Sequence, residues 1–285
     1  MKHNDTILIV TYDEERYLLE TLINSINTFL EPCNIVLLNA DRKDYDWLSW
    51  YQWTESLKLL VPNHTLTSHI KIADQPIKNW KSWCYALKIL GAELVTTPHY
   101  WVLDSKCFFY KPTKFTELQE QRAVNLHNHA HSKRFGFRQT VEAIEAYYAI
   151  DPITYQINTP PFRFNTRLAK QMKEDVLVCF DDTPCGYAEM LYYQAWCHKH
   201  NHAISIGSCD QNNSIVYPDQ FVTINALPRQ MKDDTPSIHV TGIHREILNL
   251  HIDEMTYQAI VHAVTGCRWK WDSNWSFNTL PNKNL

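Results

Sequence analysis

Two charged side chains follow the most apolar strand that the sequence predicts. Residues 100–103 read Tyr-Trp-Val-Leu, and Asp104, Ser105 and Lys106 come directly afterwards. A short apolar run bounded by turn residues is typical of a strand buried on both faces of an α/β sheet. Ligands of open α/β sheets bind outside the carboxyl ends of the strands, and side chains two apart in an extended segment share one face. Asp104 and Lys106 are therefore candidate ligand-binding residues, although a turn-capping aspartate beside a solvated lysine is the alternative.

Acidic residues further along the chain are candidates for a general base. Glu189 lies among Tyr187, Met190 and Leu191, where a carboxylate needs a reason to be buried. Apolar neighbours would raise its pKa towards neutrality, which suits a base that takes a proton from a hydroxyl. Asp182, together with Asp181, precedes the same predicted helix, where acids usually pair with the helix dipole. Glu189 is the first candidate and Asp182 the second.

Histidine and cysteine are the remaining residues that could bind a metal. His127, His129 and His131 alternate after a predicted strand at 123–126, which is compatible with a zinc or other divalent site. A polar lining of a cleft is the favoured alternative. The 8 cysteines form no CxxC pair, and scattered cysteines of this kind are interpreted as buried thiols.

The elements that position these residues begin with a βαβ unit. An apolar strand at residues 6–12, a helix with an apolar stripe and a second strand at 34–38 predict a parallel pair with a right-handed crossover. In a nucleotide-binding sheet, base and ribose would lie at the ends of these strands. The candidates there are Thr11, Asp13, Asn39 and Asp41, and a helix cap or turn is an equally good interpretation of each.

Further helices and strands are predicted from the periodicity of apolar residues. The helix at 79–90 contains Lys88, which either reaches a ligand or extends its ammonium into solvent. A proline-stiffened loop at 159–164 contains Arg163 and leads into a helix capped by Asn165 or Thr166, where an anion could bind. The other expected elements are a tryptophan-faced helix from 47, strands at 71–74, 107–110, 123–126 and 176–180, and helices at 139–150, 187–200 and 253–264.

Composition excludes several classes of protein. The net charge is −4, the pI is near 6.4 and there is no basic block, so a nucleic-acid partner is disfavoured. The 6 glycines form neither of the common phosphate-binding loop motifs. No segment approaches the roughly 20 apolar residues of a membrane span, and the apolar run near the N-terminus is short for a signal peptide. The expectation is a cytoplasmic protein.

The order of these motifs resembles that of nucleotide-sugar glycosyltransferases with the GT-A fold. The resemblance rests on the helix from Trp80 to Leu90, followed by the strand that ends in Asp104-Ser105-Lys106. It implies an α/β, Rossmann-like, mixed and mostly parallel sheet flanked by helices. More narrowly, the chain is similar to a bacterial glycosyltransferase-like family found with surface-polysaccharide genes. Asp104, Ser105, Lys88 and Arg163 would then join the four strand-end residues in binding the donor.

One departure from the GT-A pattern concerns the metal. The family carries Asp-X-Asp at this strand end, and its carboxylates hold Mn²⁺ or Mg²⁺ on the donor diphosphate, whereas this chain has Lys106 in the second position. The segment at 239–245, HVTGIHR, is similar to the HxxGxxK segment of glycogenin-like transferases, which implies His239 as a metal ligand and Arg245 as a diphosphate contact. Either Asp104 and His239 hold a metal, or Lys106 and Arg245 form a metal-independent cationic clamp. The second version is slightly favoured.

The resulting expectation is glycosyl transfer in bacterial surface polysaccharide synthesis. The donor would be a nucleotide sugar, with a UDP-sugar expected, and the acceptor a glycan or a lipid-linked glycan, with peripheral membrane contact conceivable. One catalytic domain is expected over residues 1–266, with a nucleotide-binding half (1–112), an acceptor-binding half (113–266) and a C-terminal extension (267–285). The alternatives are a metal-dependent hydrolase built on His127, His129 and His131, and a non-catalytic sugar-nucleotide-binding protein.

Overall fold

A computed structural model of the chain describes residues 3–41, 47–70, 79–105, 107–109, 112–118, 123–124, 137–156, 160–179, 188–203, 213–216 and 237–240. Its first half alternates strands and helices. The elements are β1 (Thr6–Thr11), α1 (Arg16–Phe29), β2 (Asn34–Asn39), α2 (Trp47–Leu60), β3 (Thr65–His69), α3 (Trp80–Leu90), β4 (His99–Leu103) and β5 (Cys107–Phe109).

The second half adds mostly helices and short strands. They are β6 (Ala123–Val124), α4 (Phe137–Tyr148), β7 (Tyr155–Gln156), β8 (Phe162–Asn165), α5 (Thr166–Gln171), α6 (Lys173–Cys179), α7 (Ala188–Lys199), β9 (Asn213–Val216) and β10 (Ser237–Val240). Short 3₁₀ helices lie at Asp13–Glu15, Gly91–Leu94 and Phe115–Glu117.

A five-stranded sheet organises the molecule, in the order β3-β2-β1-β4-β8. The first four strands of this order run parallel, and β8 pairs antiparallel with β4. Strands β5, β10 and β9 form a second sheet, and β6 pairs with β7. The fold prediction is confirmed: this is a mixed, mostly parallel sheet flanked by helices.

Alternate residues of the central strands pack against opposite layers of helices. Leu8 and Val102 belong to the core that contains residues of α3 and α7, whereas Ile9 and Leu103 belong to the core on the side of α1. Both faces of the central strands are thus covered, as the near-continuous apolar runs predict. The crossover helices α1 and α3 consequently lie on opposite faces of the sheet.

Some predicted elements are wrong, and the reasons are physical. Residues 173–179 form helix α6 instead of ending in a strand at 176–180, and acids in its first turn complement its dipole. Residues 162–165 form strand β8 rather than a loop, because Phe162 and Phe164 alternate with more exposed neighbours in the way that a strand requires. The observed third strand is Thr65–His69, while residues 71–78 lie outside the described part of the chain.

The segment after β4 also differs from the prediction. The backbone N–H of Cys107 donates to the carbonyl oxygen of Asp104 at 2.9 Å. The chain therefore turns between these two residues instead of continuing in an extended conformation. The prediction of one extended segment through Asp104 and Lys106 is wrong, and Lys106 itself lies outside the described residues.

Gly91 permits close packing between the end of α3 and strand β1. A Cβ atom at this position would lie 2.6 Å from Cδ2 of Leu8, which is fully buried. Because Leu8 is enclosed by the core, Gly91→Ala is expected to lower the free energy of unfolding by about 1–3 kcal/mol. Urea denaturation of Gly91→Ala, Leu8→Ala and the double variant measures this. The double variant should lose less unfolding free energy than the two single variants lose together. A loss equal to or greater than that sum would contradict the packing explanation.

The buried side chain of His64 is expected to make the free energy of unfolding depend on pH. Burial lowers the pKa of His64 to about 4, with a smaller contribution from His3, and its Nδ1 accepts the backbone N–H of Cys33 at 3.2 Å. In the unfolded chain the pKa of a histidine is about 6.5, so the unfolded state binds more protons between these two values. Stability should therefore fall as the pH is lowered from 6.5 to 4.

The measurement is the urea midpoint at intervals from pH 7 to pH 4 for the wild type and His64→Asn. Asparagine keeps an acceptor for the Cys33 N–H but does not titrate, so the pH dependence should become shallower. His198→Asn, at an exposed position, serves as the control. Identical profiles for His64→Asn and the wild type would contradict the assignment of this titration to His64.

Candidate active site at the carboxyl edge of the sheet

The strand order places β1 beside β4, with the chain leaving β1 towards one side of the sheet and reaching β4 from the other. Strand β1 is followed by a helix on one face of the sheet, and β4 is preceded by a helix on the other face. Such a topological switch point is where ligands of open α/β sheets bind. Thr11 ends β1, Asn39 ends β2 and Asp104 directly follows β4, so the predicted strand-end residues lie at this edge.

Lys88 joins two acidic residues from separate parts of the chain at this edge. Its Nζ lies 2.8 Å from Oδ1 of Asp104 and 2.8 Å from Oε1 of Glu189. The side chains of Lys88 and Glu189 are 6% and 0% exposed, whereas that of Asp104 is 22% exposed. Asp104 is therefore the member of this ionic triad that faces outward. Lys88 does not extend into solvent, so the snorkelling interpretation is wrong.

Local structure explains why Lys88 is held in place. It lies in the last turn of α3, and its carbonyl oxygen accepts the hydroxyl of Tyr100 at 2.9 Å. Its Nζ lies 5.3 Å from the ring centroid of Tyr85 and 5.8 Å from that of Phe162. Aromatic faces attract an ammonium group in such positions. The charge of Lys88 is thus enclosed by rings and carboxylates rather than by water.

Burial and the neighbouring charges shift the pKa values of Lys88 and Glu189. Burial alone would lower the pKa of Lys88, but the Asp104 and Glu189 carboxylates outweigh it and raise this pKa well above its ordinary value. Burial raises the pKa of Glu189, which the Lys88 ammonium partly offsets. Two carboxylates share one ammonium, and Oε2 of Glu189 is buried without a hydrogen-bond partner among the described residues. The predicted burial and raised pKa of Glu189 are confirmed.

The ends of β1 and β2 are connected by a chain of hydrogen bonds. Oδ1 of Asn39 accepts the backbone N–H of Asp41 at 2.6 Å, and Oδ2 of Asp41 accepts the backbone N–H of Asp13 at 2.9 Å. The Asp13 carboxylate also pairs with Arg16. Oγ1 of Thr11 and Nδ2 of Asn39 are buried and have no hydrogen-bond partner within the described part of the chain. Unpaired buried polar atoms are uncommon, and ligands or ordered waters often satisfy them.

Glu15 and Tyr12, which the sequence did not single out, join the predicted residues Ser105 and Trp80 at this edge. The hydroxyl of Ser105 donates to the Glu15 carboxylate, which joins the turn after β4 to the turn after β1. The rings of Tyr12 and Trp80 meet edge to face with centroids 4.6 Å apart, and Nε1 of Trp80 donates to the carbonyl oxygen of Ala40 at 3.2 Å. From the sequence alone, Glu15 can be recognised only as an acid that opens a helix, because its partner Ser105 lies 90 residues away.

Arg163 is not brought together with this group. Its guanidinium carbon lies 5.8 Å from the ring centroid of Trp101, whose side chain belongs to the core on the α1 side of the sheet. Its charge also lowers the pKa of Asp5, which burial and Glu31 raise, and Asp5 precedes the amino end of β1. The N-cap of the following helix α5 is Asn165, whose side chain accepts the N–H of Leu168. Arg163 thus lies towards the opposite end of the sheet.

Several predicted site residues lie outside the described ranges. They are Lys106, Asp181, Asp182, Arg245 and the three histidines at 127, 129 and 131. The backbone of His239 lies in β10 opposite Cys107 of β5, and its side chain is not described. The roles predicted for all these residues stay predictions.

The GT-A resemblance implies a divalent metal at Asp104, and the geometry allows a test of the fit. Oδ1 of Asp104 already pairs with the Lys88 ammonium at 2.8 Å, so its negative charge is engaged by an internal cation. Within the described ranges, no three His, Cys, Asp or Glu side chains are grouped so that they could hold a metal ion. With its charge engaged by Lys88, Asp104 fits a divalent metal poorly, and the predicted metal site with His239 stays a prediction because the side chain of His239 is not described.

Over the described residues, every helix is too short or too polar to cross a membrane. Cys33, Cys84, Cys107 and Cys197 are thiols rather than disulfides. The interpretation as buried thiols is confirmed for Cys33, Cys107 and Cys197, whereas Cys84 is partly exposed.

The five-stranded α/β sheet with its flanking helices has a likeness among solved structures. A solved structure described as "WbbM bifunctional glycosytransferase apo structure" is similar, with a TM-score of 0.50 and 12% sequence identity. The match covers 94% of this chain and 52% of that chain, so this chain spans about half the length of that protein. At this identity the likeness concerns the fold alone.

The chain belongs to the family of unknown function DUF6492. The model of that family matches residues 7–203, which include β1 to β4 except for Thr6, together with Lys88, Asp104 and Glu189. No curated protein matches the sequence. The family thus includes the whole described carboxyl edge of the five-stranded sheet.

Proposed function

We propose that this protein is a glycosyltransferase that moves a sugar from a nucleotide-sugar donor to a glycan or lipid-linked acceptor. The observation that carries the proposal is the ionic triad of Lys88, Asp104 and Glu189 at the switch point of a glycosyltransferase-like sheet. The motif order that resembles bacterial surface-polysaccharide transferases supports a role in capsule or lipopolysaccharide synthesis. A UDP-sugar is the proposed donor.

The nucleotide is proposed to bind at the ends of β1 and β2. Nδ2 of Asn39 is a donor with no described partner, and Oγ1 of Thr11 can donate or accept. Asp13 and Asp41 lie beside them, and the edge-to-face pair of Tyr12 and Trp80 offers aromatic surface for a base. Carboxylates suit the hydroxyl groups of a ribose because they only accept hydrogen bonds.

The transfer step needs two charges to be managed. Negative charge develops on the leaving diphosphate and must be stabilised by preorganised donors or cations in a site that excludes water. We assign this role to Lys106 and Arg245, the cationic clamp that the sequence predicts. Glu189 is the proposed general base if the reaction inverts the anomeric centre, with Asp182 as the second candidate.

The first test of this function is thermal stabilisation by nucleotides. UDP, GDP, CDP and CMP are added at saturating concentration, each with EDTA, Mn²⁺ or Mg²⁺, and Zn²⁺ is added alone. A ligand present at 100 times its dissociation constant should stabilise the fold by about 2.7 kcal/mol, which is a visible shift in Tm. One nucleoside diphosphate should stabilise the protein, and its sugar conjugates should then release that nucleotide on incubation with the enzyme.

Two other outcomes have different meanings. No response to any nucleotide, together with stabilisation by zinc alone, would contradict the transferase and favour the hydrolase built on the three alternating histidines. Stabilisation by a nucleotide without turnover of any donor in the presence of glycan and lipid extracts would favour a non-catalytic sugar-nucleotide-binding protein.

A further inference from the structure

Asp104 is already paired with a cation, the ammonium group of Lys88. Nζ of Lys88 lies 2.8 Å from one oxygen of Asp104 and 2.8 Å from one oxygen of Glu189. Carboxylate oxygens are also the ligands that a hard divalent cation takes, at shorter distances of about 2.0–2.6 Å. The ammonium group therefore occupies the position between the two acids where a metal ion would otherwise be attracted.

Several described residues surround the Lys88 ammonium and hold it in this position. Lys88 is buried in the last turn of α3, its carbonyl oxygen accepts the Tyr100 hydroxyl, and the rings of Tyr85 and Phe162 lie near its Nζ. A buried lysine that leaves this position would abandon two charge-assisted hydrogen bonds without water to replace them. The cation is thus a permanent part of the site.

A second cation at Asp104 would meet like charge. A divalent ion bound to the outward-facing oxygen of Asp104 would lie within a few ångströms of the ammonium, in surroundings that screen charge less than water does. The sequence agrees with this expectation, because the second carboxylate of the usual Asp-X-Asp motif is replaced by Lys106. Both features remove the attraction of this strand end for a metal.

We propose that Lys88 is the resident cation of the site and that the nucleoside diphosphate binds next to Asp104 without a divalent metal. The nucleotide part of this inference rests on the function proposed above, whereas the part about Asp104 and metals does not. Lys88 acts as a positioning residue: it neutralises Asp104 and fixes its carboxylate from the buried side.

The test is a titration of the full chain with Mn²⁺. Electron paramagnetic resonance detects the Mn²⁺ that stays free in solution and so measures how much is bound. The wild type and Asp104→Asn should bind Mn²⁺ alike within twofold, because Asp104 contributes no metal site. Lys88→Met should gain a site at least tenfold tighter than any wild-type site, since two carboxylates lose their cation. The double variant Lys88→Met/Asp104→Asn should lose the new site, and Glu55→Gln at the surface controls for weak peripheral binding.

Metal rescue gives a second readout in case Lys88→Met is poorly folded. Mn²⁺ should raise the Tm of Lys88→Met by several degrees and leave that of the wild type unchanged. If Lys88→Met does not fold, Lys88→Gln takes its place. The comparison of the wild type with Asp104→Asn does not depend on any Lys88 variant. Mn²⁺ binding to the wild type that disappears in Asp104→Asn would overturn the inference, as would folded Lys88 variants that gain no metal site.

A nucleotide arm separates this inference from the proposed function. The dissociation constant of UDP for the wild type, measured by calorimetry, should agree within twofold in EDTA and in Mn²⁺. Binding that requires Mn²⁺ would overturn the inference and leave the transferase in place. If no nucleotide binds while the Mn²⁺ results are as expected, the transferase fails and the assignment of Lys88 as the resident cation of Asp104 stands.

Discussion

Lys88→Met is expected to lower the free energy of unfolding by about 3–5 kcal/mol, the cost typical of breaking a buried ion pair by removing one partner. Methionine reproduces the apolar stem of lysine but leaves the Asp104 and Glu189 carboxylates near each other without a cation. Since domains are stable by only about 5–15 kcal/mol, this change should remove a large fraction of the total. Urea denaturation at pH 7 measures it.

The matched control is Lys58→Met, which removes another lysine from an ion pair in a helix. Nζ of Lys58 lies 2.5 Å from Oε1 of Glu55, but both side chains are about 40% exposed. Exposed pairs contribute about 0–1 kcal/mol, so the effect should be small. The double variant Lys88→Met/Glu189→Gln should recover part of the loss. Equal effects of Lys88→Met and Lys58→Met would contradict the account of a buried triad.

If the reaction inverts the anomeric centre, Glu189→Gln is expected to lower kcat by about 10²–10⁴-fold, the typical contribution of a general base, with little change in the KM of the donor. Glutamine keeps the size of the side chain and can still accept from the Lys88 ammonium through its amide oxygen. It cannot take a proton from an acceptor hydroxyl. The measurement is steady-state release of the nucleoside diphosphate once the donor is known.

Glu145→Gln is the matched control for this variant. Glu145 is also a buried helical glutamate, in α4, and its Oε1 accepts the backbone N–H of Ile153 at 3.1 Å. It belongs to no part of the carboxyl-edge group, so its replacement should change kcat by less than threefold. A loss of less than threefold in Glu189→Gln would reduce Glu189 to a counter-ion of Lys88.

The central fold could be predicted because its signals are local. Strands β1, β2 and β4 are continuous apolar runs covered on both faces, and α1 and α3 have apolar stripes. Strands β3 and β8 were harder to predict, since they lie at the edges of the sheet and carry exposed or polar positions. Edge strands need less apolar surface, and the two prolines before β8 are also typical of a loop.

The site could be predicted only in part. Asp104 follows from its place after a buried strand, and Glu189 from its apolar neighbours. The ion pair between Lys88 and Glu189 could not be predicted, because the two residues are 101 positions apart and meet only when α7 packs against α3. Without that contact, an isolated lysine in a helix is most simply interpreted as a solvent-exposed one.

We expect the nucleotide to bind at the carboxyl edge of the five-stranded sheet. The most direct measurement is the dissociation constant of the stabilising nucleoside diphosphate for the wild type, Asp41→Asn and Asp5→Asn, by calorimetry. Asp41 lies at the carboxyl end of β2, whereas Asp5 lies at the amino end of β1. We predict at least tenfold weaker binding to Asp41→Asn and unchanged binding, within twofold, to Asp5→Asn. Equal affinity of all three proteins, or no binding of any nucleotide below 1 mM (weaker than about −4 kcal/mol), would contradict the account.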